Sequence, residues 1–218
     1  MTTIDKQRKA MVDRQVAARG IDDPHVLDAM RIVPREAFVS KQMAKFAYED
    51  SPLPIGAGQT ISQPYIVALM IEAAKIGAND RVLEIGAGSG YAAAIMSRIA
   101  YRVYAIERHP DLAELARERM VMLGYDNVVI GTADGTNGWP ENAPFDAILV
   151  AAGAPDVPRP LSAQLAVGGR LVIPIGDADL QRLIRVTRIS ADAYEDEDLG
   201  GVRFVPLIGA YGWKGDSG

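Results

Sequence analysis

The spacing of hydrophobic positions divides the chain into three parts. In residues 4–50, apolar side chains recur at helical spacing among charged ones, which predicts amphipathic helices. The first helix should end at Gly20, and a second should begin at Asp22-Asp23-Pro24 and run through Met30. From residue 81 onward, short apolar runs alternate with longer helical segments. After residue 182 the pattern changes again, to two stretches in which polar and apolar residues alternate, separated by an acidic stretch.

The middle part predicts a parallel sheet. Five strands are expected at residues 81–85, 103–106, 128–130, 147–152 and 171–175. Helices are expected between them, at residues 91–100, 110–123 and 161–165. Strands that alternate with helices form βαβ units with right-handed crossovers. The pattern therefore predicts an α/β fold with a mostly parallel sheet.

Residues 51–62 carry a different signal, because Pro and Gly interrupt them and charges are few. A long stretch of this kind inside a compact chain is usually functional or disordered, and its apolar residues argue against disorder. We therefore predict a functional loop. A helix should follow over residues 63–76, with Ser62 as its N-cap and Pro64 in its first turn.

The C-terminal part predicts an antiparallel strand pair at the edge of the sheet. Its strands are expected at residues 183–189 and 202–207, joined by an acidic, solvated connection at residues 192–198. No linker suggests a second domain. We predict a single domain over residues 1–218, composed of an N-terminal helical segment (1–50), an α/β core (51–180), the strand pair (181–213) and a frayed tail (214–218).

Composition limits the chemistry. The absence of Cys excludes disulfides, thiolate nucleophiles and iron–sulfur clusters, and two histidines, His25 and His109, are too few for a three-histidine metal site. A net charge of −5 argues against a nucleic-acid partner. No apolar run is long enough to cross a membrane, and the N-terminus has no signal-peptide core. We predict a cytoplasmic chain with no metal, nucleic-acid or membrane partner.

The segment Glu84-Ile85-Gly86-Ala87-Gly88-Ser89-Gly90 has the most informative pattern in the chain. It joins the first core strand to its helix, and ligands of open α/β sheets bind at such carboxyl ends of strands. Glycines there permit positive φ and let a ligand lie against the backbone. Glu107, at the tip of the second core strand, is placed to accept both ribose hydroxyls of an adenosine.

Two ligands compete for this pattern. A dinucleotide prefers G-x-G-x-x-G, whereas here Tyr91 occupies the slot of the third glycine. Glu84 would repel a pyrophosphate but attract the amino and sulfonium groups of S-adenosylmethionine, which we therefore predict as the cofactor. Asp134, after the third core strand, would lie beneath the adenine, or it would simply cap a turn before Gly135.

Several segments together resemble one family. They are residues 11–19, 33–39, 51–64, 81–91, 143–148 and 203–207. From about residue 4 to residue 212 the chain resembles protein-L-isoaspartate (D-aspartate) O-methyltransferases, most specifically at Gln59-Thr60-Ile61-Ser62-Gln63-Pro64. The resemblance implies the Rossmann-like fold of class I SAM-dependent methyltransferases, with a seven-stranded sheet, helices on both faces and an N-terminal helical extension.

The resemblance also implies a reaction. The methyl group of S-adenosylmethionine would pass to the α-carboxylate of L-isoaspartyl and D-aspartyl residues in damaged proteins, and the ester would then cyclise to a succinimide. Ser62 is implied as the catalytic residue. The implied cofactor contacts are Thr60, Ile61, Ser62, Glu84, Gly86, Gly88, Glu107, Asp134 and Gly135. The implied substrate contacts are Ser62, Phe204, Val205 and Pro206.

The residue inventory is compatible with this reaction. A carboxylate is already ionised at neutral pH, so it needs no general base to attack a methyl sulfonium. Three positions depart from the family pattern, namely Ala133, Tyr65 and Ile208, where many or some members have Gly, His and Thr. Two alternatives stay open: a methyltransferase of the same fold with another acceptor, and a catalytically silent paralogue that only binds the cofactor. A nicotinamide oxidoreductase is the weakest alternative, and a monomer is slightly favoured.

Overall fold

The computed structural model describes residues 2–177 and 179–214, and within them it contains six α-helices and nine strands. The helices are α1 (Thr3–Met11), α2 (Pro24–Ile32), α3 (Pro64–Ala74), α4 (Tyr91–Ser97), α5 (Pro110–Leu123) and α6 (Arg159–Ala163). The strands are β1 (Leu53–Gly56), β2 (Gln59–Ile61), β3 (Arg81–Ile85), β4 (Arg102–Glu107), β5 (Val128–Thr132), β6 (Phe145–Val150), β7 (Leu165–Gly176), β8 (Gln181–Arg188) and β9 (Tyr194–Val202). Most of the predicted tail lies outside the described residues.

Seven of these strands form one sheet in the order β5-β4-β3-β6-β7-β8-β9. The first four pairings are parallel, and the β7–β8 and β8–β9 pairings are antiparallel. The chain steps from β3 outward to β4 and β5, then returns to the other side of β3 with β6. The order of the strands therefore reverses at β3 and β6, and a ligand crevice is expected at the carboxyl ends of these two strands. The predicted fold class is confirmed.

Alternate side chains of the central strands pack into two different clusters. Val82 of β3 and Leu149 of β6 belong to a cluster that also contains buried residues of α1 to α5. Their neighbours Leu83 and Ile148 belong to a second cluster, which contains Leu161 of α6. Both faces of the central strands are thus covered, which explains why these strands are continuous apolar runs. No helix of the described residues is long and apolar enough to cross a membrane.

The N-terminal segment is helical, as predicted, but it is not one regular helix. A π-helical turn (Val12–Val16) and a 3-10 turn (Ala17–Arg19) continue α1 up to Gly20, whose φ of +99° ends the segment. Asp23 then caps α2 by accepting hydrogen bonds from the backbone N–H groups of His25 and Val26. The end of the first helical segment at Gly20 and the start of α2 after Asp23 thus lie where the sequence predicts them.

The prediction of a loop at residues 51–62 was wrong in part. This stretch contains the hairpin of β1 and β2, in which Leu53 pairs with Ile61 and Pro54 pairs with Thr60. A small two-stranded sheet tolerates Pro because one side of each strand needs no ladder hydrogen bond. Leu53 and Ile61 are both buried in the main core, which attaches the hairpin to the rest of the molecule.

The predicted position of the last strand was also wrong. The final strand of the sheet is β9, which contains most of the acidic stretch predicted as a connection. Two ion pairs across the strand pair, Arg185–Glu197 and Arg182–Asp198, bring opposite charges together between β8 and β9. Residues 203–207, predicted as strand, are only extended, with one isolated bridge between Pro206 and Gly153. Hydrophobic alternation failed here because an edge strand can be polar on both faces.

Another boundary differs near α6. Leu165 was predicted at the end of a helix and instead begins β7, which also contains Gly168 and Gly169. Gly169 has little space around it, since a Cβ there would lie 2.8 Å from the carbonyl oxygen of Ala166. The irregular start of β7 pairs with Phe145 at the beginning of β6.

Candidate active site

A cavity of about 1030 Å³ lies at the carboxyl ends of β3, β4 and β6, where the strand order reverses. Two groups of residues line it. The first, called the glycine wall below, consists of Glu84, residues 86–89 and Glu107. The second, called the Ser62 wall, consists of residues 60–62 and residues 203–207. Most of the site residues predicted from the sequence belong to these two walls.

The glycine wall is a tight turn in which three backbone N–H groups already have acceptors. Gly86 and Gly88 have φ of +87° and +52°, which a residue without Cβ adopts readily. The N–H groups of Gly86 and Ala87 donate to the carbonyl of Ile106 at 2.8 and 3.1 Å. The N–H of Gly88 donates to Glu107 Oε2 at 2.8 Å. A pyrophosphate, which needs free N–H groups, would find none at these three residues. The turn thus disfavours a dinucleotide.

Glu107 is fixed at the tip of β4 by backbone donors on both sides. Its Oε2 accepts from Gly88, and its Oε1 accepts from the N–H of His109 at 2.9 Å. Only 4% of the residue is exposed. Each carboxylate oxygen has a second lone pair, so the group retains acceptor capacity at the edge of the cavity. That capacity is what a pair of ribose hydroxyls requires.

Glu84 is the most unusual charge in the site. It is 2% exposed, and its Oε2 has no hydrogen-bond partner among the described residues. Burial, together with the neighbouring carboxylate of Glu107, raises the pKa of Glu84 well above its usual value. A buried carboxyl group without a partner is costly unless a ligand supplies the missing hydrogen bond or charge. The site therefore fits a ligand that brings a cationic group to Glu84.

Asp134 and Gly135 do not line the cavity, unlike the other predicted site residues. Asp134 Oδ1 accepts from the N–H and the hydroxyl of Thr136 at 2.9 and 2.7 Å, and Oδ2 accepts from the N–H of Ala210 at 2.8 Å. The carboxylate therefore caps a turn and holds the C-terminal segment. Gly135 packs against β3, because a Cβ there would lie 2.5 Å from Ile85 Cγ2. An adenine contact at these two residues stays a prediction.

Ser62 lies between β2 and α3, half-buried, and it lines the cavity. The predicted N-cap role was wrong, since α3 begins at Pro64 with Gln63 as N-cap and without a side-chain cap hydrogen bond. The fixed φ of Pro64 starts this helix without a capping side chain. The Ser62 hydroxyl is consequently not used by the helix. Thr60 and Ile61 line the same part of the cavity.

Phe204, Val205 and Pro206 line the cavity as an extended segment after β9. The N–H of Gly153 donates to the carbonyl of Val205 at 2.8 Å, and the N–H of Leu207 donates to the carbonyl of Gly153 at 2.7 Å. The segment is thereby attached to the chain that follows β6. It meets residues 60–62 at one cavity although more than 140 positions separate them in the sequence.

Sequence reasoning missed several cationic residues of the lining. The guanidinium of Arg19 stacks on the ring of Tyr65, 3.6 Å from its centroid, and Arg19 also pairs with Asp50 at 3.0 Å. Arg108 and Arg203 line the cavity as well. The segment 11–19 contributes to the family resemblance and could have pointed to Arg19. No pattern in the sequence distinguishes the other two from ordinary surface arginines.

Comparison with known proteins decides the family. A family model for protein-L-isoaspartate(D-aspartate) O-methyltransferases matches residues 6–212. The chain belongs to this family. The match covers the glycine wall and the Ser62 wall together, so it includes all residues for which the sequence predicts a role.

Two relatives illustrate how close the likeness is. Protein-L-isoaspartate O-methyltransferase 2 of Pelobacter propionicus is 62% identical over 208 residues, which cover 95% of this chain and 92% of the relative. Protein-L-isoaspartate O-methyltransferase of Syntrophus aciditrophicus is 54% identical over 217 residues, covering 99% of this chain and 100% of the relative. The resemblance inferred from short segments is thus confirmed over nearly the whole chain.

Solved structures agree with this assignment. A crystal structure of a Plasmodium falciparum protein-L-isoaspartate O-methyltransferase, in complex with S-adenosyl-L-homocysteine, has a TM-score of 0.81 and 28% identity; the match covers 92% of this chain and 98% of that one. Another protein-L-isoaspartate O-methyltransferase structure has a TM-score of 0.85 and 30% identity, covering 95% and 67%. Members of this methyltransferase family therefore share the fold described above.

Proposed function

We propose that the chain transfers the methyl group of S-adenosylmethionine to the α-carboxylate of L-isoaspartyl and D-aspartyl residues in damaged proteins. The observation that carries the proposal is that Ser62, in the most family-specific segment, lines the same cavity as Glu84 and Glu107. The methyl ester would then close to a succinimide without further help from the enzyme. This first step would begin the repair of the damaged residue.

S-adenosylmethionine supplies an electrophilic methyl group on a sulfonium centre. Glu84 would bind its amino group, because Oε2 of the buried carboxyl lacks a partner among the described residues, and Glu107 would accept from its ribose hydroxyls. Gly86 and Gly88 would allow close approach to the backbone, with Thr60 and Ile61 beside them. The N–H groups of Gly86, Ala87 and Gly88 already have acceptors, which supports this cofactor over a nicotinamide dinucleotide.

The chain's own part in the chemistry is alignment rather than proton transfer. The acceptor carboxylate is ionised at neutral pH, so no base is needed. The Ser62 hydroxyl would donate a hydrogen bond that orients this carboxylate, a charge-assisted contact of about 1–3 kcal/mol. The cavity would exclude water from it. The extended residues 204–206 would bind the peptide on which the acceptor is carried.

A paired-peptide assay tests the proposal. Radiolabelled methyl from S-adenosylmethionine should pass to a peptide that contains L-isoaspartate and not to the same peptide with normal aspartate. Equal labelling of the two, or labelling of neither, would reject the proposal. A chain that binds S-adenosylmethionine tightly but methylates nothing would instead be a silent paralogue. Binding of NADH in place of S-adenosylmethionine would indicate an oxidoreductase.

The remaining predictions concern surroundings rather than chemistry. The net charge of −5 supports the absence of a nucleic-acid partner. The cytoplasmic location, the absence of a membrane partner, the single domain and the monomeric state stay predictions from the sequence. Cell fractionation and sedimentation equilibrium would test the location and the oligomeric state.

A further inference from the structure

Gln181 is a buried polar residue that borders the site without lining it. It is the first residue of β8 and is 2% exposed. Its Oε1 accepts from the N–H of Phe204 at 2.8 Å, and its Nε2 donates to the carbonyl of Phe204 at 3.1 Å and to that of Asp177 at 3.2 Å. Both N–H donors and the oxygen of this amide therefore have partners, which offsets the cost of burying it.

The two bonds to Phe204 imitate a strand pairing. In an antiparallel ladder, a hydrogen-bonded pair exchanges one N–H and one C=O in each direction. The backbone of Gln181 pairs with Val202, the last residue of β9. Where β9 ends, the side chain of the same residue continues the pairing with Phe204. The amide thus holds the chain in extended form just as it enters the cavity.

Gly153 makes room for this arrangement. A Cβ at Gly153 would lie 2.5 to 2.8 Å from the amide atoms of Gln181, so only glycine allows the contact. The backbone of Gly153 in turn bonds to Val205 and Leu207. The segment from Phe204 to Leu207 is consequently held on one side by a side-chain amide and on the other by the chain that follows β6.

We propose that Gln181 is a positioning residue that sets the affinity for the acceptor peptide. Its side chain bonds to Phe204 and Asp177, and it acts on the site through residues 204–206. Substitution of Gln181 should therefore change the affinity for the acceptor peptide and not the affinity for the cofactor. The proposal rests on the proposed function, in which these residues bind the peptide. Nothing in the sequence pattern singles Gln181 out, and only its contacts reveal the role.

The molecule contains a matched control. Gln164 is 9% exposed, its Oε1 accepts from the N–H of Trp139 at 2.8 Å, and its Nε2 donates to the carbonyl of Asn137 at 2.8 Å. A glycine, Gly138, packs against its amide as Gly153 does against Gln181. Gln164 does not line the cavity, and these side-chain hydrogen bonds go to Trp139 and Asn137, which are not part of the Ser62 wall. The two glutamines therefore differ mainly in the segment that their amide binds: Gln181 binds Phe204 of the Ser62 wall, and Gln164 binds residues outside it.

The test compares Gln181→Leu with Gln164→Leu in the full chain. Both variants should lose thermal stability, since each loses buried amide bonds. Only Gln181→Leu should raise the KM for an isoaspartyl peptide, by about tenfold, with the Kd for S-adenosylmethionine within about twofold of the wild type. Gln181→Glu, which keeps an acceptor for Phe204, should give an intermediate KM and replaces the Leu variant if that one does not fold.

An unchanged KM in the Gln181 variants, or an equal rise in the Gln164 control, would overturn the proposal. Hydrogen exchange measured without peptide tests the positioning role of Gln181 independently of the proposed function. The amide of Phe204 should exchange about tenfold faster in Gln181→Leu than in Gln164→Leu. A wild type that ignores isoaspartyl peptides would defeat the proposed function, whereas unchanged exchange at Phe204 would defeat the positioning role.

Discussion

The glycine wall and the Ser62 wall are built in different ways. The glycine wall comes from two neighbouring strands, β3 and β4, and its turn is held by backbone bonds to Ile106 and by Glu107. The Ser62 wall joins residues 60–62, at the end of β2, with residues 203–207, beyond the last strand. The residues of the glycine wall lie close together in the sequence, whereas folding brings the two parts of the Ser62 wall together from distant positions.

The two walls should therefore respond differently to amino-acid substitution. Backbone bonds to Ile106 and one side chain, that of Glu107, secure the glycine turn, so substitutions there other than at Glu107 should alter ligand contacts more than geometry. The Ser62 wall depends on particular side chains, so substitutions away from the cavity should change acceptor recognition. The following predictions test this contrast in order of expected size.

Glu107→Ala should have the largest effect. We expect the Kd for S-adenosylmethionine to rise by one to two orders of magnitude, since about 1.4–3 kcal/mol of hydrogen bonds to a charged group would be lost. Isothermal titration calorimetry measures this directly. Glu107→Gln, which keeps one acceptor oxygen, should lose less. An unchanged affinity in Glu107→Ala would mean that the ribose lies elsewhere.

Ser62→Ala should distinguish the roles of the two walls, because it should affect turnover but not cofactor binding. The turnover of an isoaspartyl peptide should fall about tenfold, as expected for one lost charge-assisted hydrogen bond of roughly 1.4 kcal/mol, with little change in cofactor affinity. Steady-state kinetics and calorimetry on the same preparation test both halves of this statement. Ser162→Ala, on α6 away from the cavity, is a suitable control. A loss of cofactor affinity without loss of turnover would assign Ser62 to the cofactor.

Glu84→Gln should change stability and binding in opposite directions. Because the pKa of Glu84 is raised in the folded protein, the folded state holds a proton that the unfolded state releases, and wild-type stability falls as pH rises from the usual glutamate pKa through the raised one. The variant lacks this slope and should be more stable by about 1 kcal/mol at neutral pH without ligand. Its affinity for S-adenosylmethionine should nevertheless drop. Thermal melts across pH would contradict the assignment if both proteins showed the same slope.

Asp134→Ala should have the smallest effect on binding. Burial alone would raise the pKa of Asp134, but the bonds from Ala210 and Thr136 outweigh it and lower the pKa. Its stabilising effect is therefore present above the usual aspartate pKa and lost as pH falls through the lowered one. We expect a stability loss of about 1 kcal/mol at neutral pH and a cofactor Kd within about threefold. A tenfold higher Kd for S-adenosylmethionine would instead support a contact between Asp134 and the adenine.

The contrast between the walls also describes what the sequence could predict. The glycine turn, Glu84 and Glu107 follow from rules that operate within one βαβ unit, from β3 through α4 to β4, so they were found without the structure. Residues 204–206 and Ser62 came only from the family resemblance. The positions of Gln181 and Arg19 were not predictable, because their partners are set by tertiary packing over distances that periodicity does not encode.

The errors in secondary structure have different causes. The strand β9 was missed because its residues from Tyr194 to Asp198 are exposed, so no buried face imposes alternation. Residues 203–207 alternate correctly, yet their partners, a glutamine side chain and Gly153, are remote in sequence and do not form a strand with them. Ser62 does not cap α3 because Pro64, two residues further on, starts this helix without a capping side chain.

The charged outer strand has a further consequence for an enzyme that handles age-damaged polypeptides. An extended segment of another polypeptide can add to an open sheet border and start aggregation there. Strand β9 offers that border only behind Glu195, Asp196 and their neighbours, which are exposed and would lose their hydration on pairing. A charged outer strand of this kind makes the enzyme a poor template for aggregation of the proteins that it methylates.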